Sequence, residues 1–282
     1  MAARGALLST FLLCCASLPA AHAARVVLEP IAVTDRQVPG LAEGVTWQQA
    51  VSGAHLFKST MSHEGAAAFA LELAGPGVVA FQNDHGLFYR HPDGRIELVA
   101  RRGDQAPGQP ADSRWFSFLP GGIAADGTLF FQARLDWRDG QAAPTTKEEH
   151  CLVRWRPGQA PEIITREGGP APGMPAAILT PLPEAQFSTA LVPRVSRSGL
   201  LTFSFAVTQD GTSRYIVFRP DAAGAPGPRV AANQRVPGLL GGEVFGDIAT
   251  PAILDDAGRL LMRTTLAASP GGTPVPANAP PT

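Results

Sequence analysis

Cysteine is scarce in this sequence. Of the three present, Cys14 and Cys15 sit in the first stretch of chain and Cys151 stands alone. If the N-terminal segment is cut off, one thiol remains and no intramolecular disulfide can form. Charge of one sign is lacking too. The chain carries 23 basic against 24 acidic residues, a formal net charge of −1, which leaves no field to draw in nucleic acid or anionic lipid. No basic run exceeds a pair, so a polybasic patch is excluded. Long helices are disfavoured by 30 Gly and 27 Pro among 282 residues, which call instead for many short elements joined by turns.

Catalytic signatures are missing as well. The histidines beyond the N-terminal segment, His55, His63, His85, His91 and His150, show no H-x-x-x-H or HExxH spacing, and there is no C-x-x-C. His85 and His91 flank GLFY, which is compatible with a shared loop end or with two exposed turn residues. The stretch SRSGL around Ser198 lacks the first glycine of a nucleophile elbow. PGLLGGEVFG (237–246) is glycine-rich but has no Lys-Ser/Thr after it. Cys151, in HCLVRW, reads as a buried small hydrophobe on a strand.

The only sustained apolar run is LLSTFLLCCASL (7–18), preceded by Arg4 and followed by Pro19 and Ala21-His22-Ala23. That run is shorter than the ~20 residues a membrane span needs, and the small-x-small tripeptide fits a cleavage site. Residues 1–23 are therefore expected to be a signal peptide, with an exported mature chain beginning at Ala24 in the periplasm or outside the cell. No membrane span is expected in the mature chain. At the other end, residues 268–282 are rich in Pro, Gly and Ala without apolar period and read as a disordered tail.

What is present is a repeat. Pro-Gly recurs at Pro39-Gly40, Pro107-Gly108, Pro172-Gly173 and Pro237-Gly238, with prolines 107 − 39 = 68, 172 − 107 = 65 and 237 − 172 = 65 residues apart. A second landmark places Gly65, Gly127, Gly199 and Gly258 just before an apolar stretch, as in GIAADGTLFFQARL. A third, HGLFYRHPDG, CLVRWRPGQA and YIVFRPDAAG, lies between that stretch and the next Pro-Gly. These pieces alternate apolar and polar side chains and end in turn formers. The predicted unit has four antiparallel strands over about 65 residues, the composition of a propeller blade with long loops. The fold class is all-β: a β-propeller or propeller-like domain over 24–267, with three full units and one split between the ends of the chain, RVVLEPIAVT supplying the split unit's last strand.

Within one Pro-Gly tract, RRGDQAPG, the letters Arg102-Gly103-Asp104 spell an adhesion tripeptide. The matching tracts share the turn and not the letters, so the tripeptide reads as a turn.

The tandem units resemble a family of bacterial exported tandem β-repeat proteins of the choice-of-anchor type, whose units run as GD-x-APG followed by N-x-x-G and an apolar strand. LVARRGDQAPG and FSFLPGGIAADGTLFFQARL carry that resemblance best, and it spans about residues 25–267. The family's asparagine is replaced here by Ser62, Ala124, Ser196 and Asp255. The resemblance implies an exported architecture and no particular reaction.

Two sets of residues are candidates for function. Glu64, Asp126 and Asp255 fall in corresponding turns, and in a propeller such turns collect on one face, where carboxylates could hold calcium. Trp137, in the insertion DWRDGQAAPTTKEEH (136–150), could anchor a protein or glycan partner. The expected function is a non-enzymatic scaffold that binds a protein or glycan through its loops, without cofactor. The alternative is a metal-dependent propeller hydrolase or lyase with an axial carboxylate site.

Overall fold

Four residues before each repeated proline, Asp35, Gly103, Gly168 and Asn233 take left-handed φ angles of 63°, 82°, 75° and 65° in the computed structural model. Glycine, asparagine and aspartate are the residue types that reach this region at least cost. Each donates its N–H to a carbonyl on the strand after the Pro-Gly turn: Trp47 at 2.9 Å, Trp115 at 2.8 Å, Leu179 at 2.8 Å and Phe245 at 2.7 Å. In the first three copies the Pro-Gly tract is thus the tip of a hairpin, and in the second and third it carries the chain from one sheet to the next; Pro237-Gly238 lies outside the described residues. In the first two tips a glutamine side chain fills the loop. Gln37 Nε2 donates to the carbonyls of Val38, Leu41 and Ala42, and Gln105 Nε2 to those of Ala106, Gln109 and Pro110.

The structure describes residues 30–48, 59–137, 148–180, 192–220, 226–236 and 243–267. The described residues from Ala32 onward belong to one compact unit. The described residues contain no helix, and all their regular elements are strands. The first sheet holds β1 (Thr46–Gln48), β2 (Ser59–Met61), β3 (Ala67–Ala74), β4 (His85–Arg90) and β5 (Ile96–Arg101), with β1 and β2 both on one edge of β3. The second is a four-stranded meander of β6 (Ser113–Ile123), β7 (Leu129–Trp137), β8 (Glu148–Trp155) and β9 (Glu162–Arg166). The third holds β10 (Pro170–Ala171), β11 (Met174–Thr180), β12 (Arg194–Val195), β13 (Leu201–Gln209), β14 (Thr212–Pro220) and β15 (Pro226–Ala231), with β12 pairing β13. The last has β16 (Val244–Leu254) and β17 (Leu260–Ala267).

Each repeated glycine closes the turn between two paired strands, β2 and β3, β6 and β7, β12 and β13, and β16 and β17, at φ angles from 74° to 86°. The turns share one bonding pattern: the N–H of Ser62, Ala124, Ser196 and Asp255 reaches the carbonyl four residues on, and the glycine N–H returns to the starting carbonyl. That is a type I turn closed by a left-handed glycine. Two details depart from the simplest reading of the sequence. The strand before the glycine is split in the first and third sheets, and residues 49–58 and 181–191 between the halves lie outside the described set. The strand expected from RVVLEPIAVT falls partly on residues 25–29, also outside that set, and residues 30–34 carry no strand.

Successive sheets pack face to face. Alternate residues of β7 point to opposite sides, so Phe131, Ala133 and Leu135 meet Ala68, Leu87 and Tyr89 of the first sheet. Phe130, with Leu152 of β8, meets Phe203 and Phe205 of the third sheet. Cys151 is fully buried in the first of these layers, where burial drives its thiol pKa up, as befits a packing residue. The second and third sheets approach closely at Gly121-Gly122, which face Pro193 and Val195. A Cβ on Gly121 would lie 2.3 Å from Pro193 Cγ and 2.6 Å from its carbonyl oxygen.

That approach yields a test. Gly121→Ala should lower stability by roughly 1–3 kcal/mol through overpacking. Gly227→Ala, where a Cβ meets nothing within 4 Å, should change it little. Denaturant unfolding of both variants measures the contrast, and equal midpoints would refute the close approach.

Candidate functional site

The turns carrying Glu64, Asp126 and Asp255 do gather at one end of the sheets. The Ala125 N–H donates to the Arg197 carbonyl at 3.0 Å, and Arg197 Nε donates to Glu64 Oε1 at 3.0 Å. The Ser198 N–H reaches Asp256 Oδ1 at 2.8 Å, tying the third turn to the fourth. The buried Tyr89 hydroxyl senses this face: burial raises its pKa first, and the charges of Asp126, Glu64 and Glu97 raise it further.

The carboxylates there are engaged locally. Asp126 Oδ1 accepts the Thr128 N–H at 2.9 Å. Asp255 accepts the Arg259 N–H at 2.7 Å and the Arg259 Nε at 2.6 Å, and these bonds hold its pKa below the ordinary carboxylate value. Among the described residues no group of three His, Cys, Asp or Glu side chains is placed to hold a metal ion. The same geometry gives the repeat's asparagine position a role. Ser62 Oγ, Ser196 Oγ and Asp255 Oδ1 each accept the N–H four residues ahead, while Ala124 leaves that task to neighbouring Asp126. The position brackets a turn.

His85 and His91 do not share a loop end. They lie at opposite ends of β4, whose six residues keep them about 20 Å apart at ~3.3 Å each. His85 is stacked on Phe118, and His91 bonds Glu97 at 2.9 Å. Trp137 closes β7, and its side chain lies outside the described residues.

A polar stripe that the sequence did not announce runs along the other end of β7. Gln132, Arg134 and Asp136 share one face by strand alternation. Gln132 Nε2 lies 2.6 Å from His150 Nδ1, and the His150 N–H donates to Glu167 Oε2 at 2.9 Å. Burial, reinforced by the Arg134 charge, lowers the His150 pKa from 6.5 to about 3, so the ring is neutral at pH 7. Arg134 also lies over the Phe116 ring at 5.1 Å, and Arg102 lies over the same ring at 4.9 Å.

Arg102 settles the tripeptide. It is 5% exposed, donates from Nη1 to Asp84 Oδ1 at 2.6 Å and from Nε to the Phe116 carbonyl at 2.7 Å. A Cβ at Gly103 would strike the Gln82 carbonyl oxygen at 2.2 Å. The tripeptide is a structural turn whose arginine is turned inward.

Asp84 ends the loop between β3 and β4, and that loop presents the most exposed large apolar side chain among the described residues. Phe81 is 74% exposed and Val79 48%. Phe81 also has φ 60°, whereas the other non-glycine residues with positive φ among the described residues are Asp35, Asp210 and Asn233. Those three have side chains suited to the left-handed region, and a phenylalanine does not. The loop is nonetheless braced. Asn83 Oδ1 accepts the Val79 N–H at 2.7 Å, Asn83 Nδ2 donates to Gly77 O at 2.9 Å, and Asp84 Oδ2 accepts the Phe81 N–H at 2.8 Å. Periodicity could not flag Phe81, because its loop has none. The PGVVAFQND composition, four consecutive apolar residues after a Gly-Pro-Gly, was the available signal.

A family of unknown function, DUF7453, matches residues 26–146. That span covers the first sheet and the first two strands of the second. No curated protein matches the chain. Among solved structures, one titled "Hadza microbial sialidase Hz136" is similar at 14% identity and a TM-score of 0.36, over 78% of this chain. The match spans 45% of that structure's own chain, and a likeness of that size assigns no fold.

Two outcomes follow from the polar geometry. As pH falls below 6.5 the unfolded chain protonates His150, while the folded chain resists until about 3. Stability should therefore drain across that window at up to about 1.4 kcal/mol per pH unit from this group. Unfolding of wild type and His150→Gln between pH 7 and 4 checks it, with the variant showing the shallower slope. Arg102→Ala should cost roughly 3–5 kcal/mol by stranding Asp84, whereas Asp104→Ala, at an exposed position, should stay within about 0.5 kcal/mol. Urea midpoints decide between them.

Proposed function

We propose that this chain is an exported, non-enzymatic β scaffold that binds a partner through its loops. The observation that carries the reading is the loop holding Phe81, an exposed aromatic kept in a costly backbone conformation by a committed hydrogen-bond network. Strain of this kind, of order 1–3 kcal/mol, persists where surroundings over-determine it and clusters at working sites. In the same reading the stacked meanders are blades of a propeller-like array, which keeps loops on its rims and leaves them free to vary. Export is supported by the charged, apolar and small-residue sequence of residues 1–23. The competing hydrolase or lyase reading draws no support from the turn carboxylates, whose oxygens serve turns and arginines.

Photo-crosslinking in the producing cells tests this. A benzoylphenylalanine at position 81 should give a discrete adduct outside the cytoplasm, and the same group at the exposed turn residue Asp93 should not. Equal labelling at both positions, or turnover by the purified chain, would overturn the proposal.

A further inference from the structure

The loop between β3 and β4 also says what kind of partner it suits. We infer that its tip, Val79-Ala80-Phe81, seats in an apolar cleft of a partner protein. This rests on the binding-scaffold reading and adds the partner's chemistry to it. Val79, Ala80 and Phe81 are consecutive and exposed, so the tip offers apolar surface without a break. The polar groups beneath them are already used. Both amide groups of Asn83 bond within the loop, and the two carboxylate oxygens of Asp84 bond Phe81 N–H and Arg102. Arg101 Nε donates to the Asn83 carbonyl at 2.7 Å. Gln82 is the tip's remaining polar side chain.

Charge and hydrogen-bonding capacity decide between partner classes. A sugar ring can stack on an aromatic, but its hydroxyls need several donors and acceptors around the ring, and here Gln82 is the one side chain of the tip not spent on the loop itself. A lipid surface would call for several cations at the rim; Arg102 is paired with Asp84 at 2.6 Å, and the remaining cation, Arg101, is held against the loop by the Asn83 carbonyl at 2.7 Å. An uncharged apolar cleft asks for neither. The Arg102 guanidinium lies 6.0 Å from the Phe81 ring centroid on one side, which helps to fix the ring in the orientation it presents. A tip already held in one conformation loses little freedom on binding, and buried aromatics of this sort dominate interface energetics.

The decisive variant is Phe81→Gly, because glycine adopts φ 60° without penalty. A random twelve-residue peptide library displayed on phage is panned on the mature chain and on this variant, alongside a soluble glycan panel and phosphatidylglycerol-containing vesicles. The expected result has three parts: peptides rich in apolar residues are enriched on the wild type, bind Phe81→Gly at least tenfold more weakly, and the variant's Tm is equal or higher. A lowered Tm would assign Phe81 to packing and overturn the inference. So would peptides that bind both chains equally, or no enrichment at all. Phe81-dependent binding to glycans or vesicles would also overturn it while leaving the scaffold reading standing. A concentration-dependent dimer lost in Phe81→Gly would put a second copy in the place of a different protein and overturn the inference.

Discussion

A left-handed residue at Gly103, Gly168 and Asn233 turns the chain out of one sheet and bonds its N–H to a strand of the next, and Asp35 makes the same bond ahead of the first sheet. Without that reversal the Pro-Gly tip would not bring the last strand of a meander beside the first strand of its successor. The stacked sheets, the layered cores between them and the gathering of the glycine turns at one end all depend on it. The four positions use three residue types, Asp, Gly and Asn, which share access to the left-handed region and little else.

The sheets built this way leave few charges uncommitted at the places where chemistry was expected. Turn carboxylates bracket turns or tie one turn to another through Arg197 and Ser198, and Arg102 of the adhesion-like tract reaches inward. His150 is held neutral by burial beside Gln132 and Arg134. The exception is Phe81, where backbone strain and exposure are both maintained against the usual trend, and that combination is why the functional reading centres on a loop.

Much of the local structure was legible in the sequence. The spacing of Pro-Gly and of Gly65, Gly127, Gly199 and Gly258 marked the hairpin tips and turns, because those residues are chosen for backbone geometry that no distant contact needs to supply. The third-strand segments HGLFYR and CLVRW announced themselves by alternation. Long-range partnerships were not legible. Nothing near Glu64 in the sequence points to Arg197, and the polar face of β7 looks like ordinary strand alternation until His150 and Glu167 are brought beside it. The asparagine replacements also read as losses until the turns showed Ser62, Ser196 and Asp255 accepting the same N–H.

The most direct test of the left-handed reversal is equilibrium unfolding of a series at Gly168, where φ is 75° and a Cβ would meet nothing within 4 Å. Steric contact is absent there, so stability reports backbone preference alone. Gly168→Asn should be close to wild type, and Gly168→Val should lose about 1–2 kcal/mol, the cost of placing a branched side chain in that region. A valine variant as stable as wild type would mean that the residue is not held left-handed, and the account of how one sheet leads to the next would be wrong.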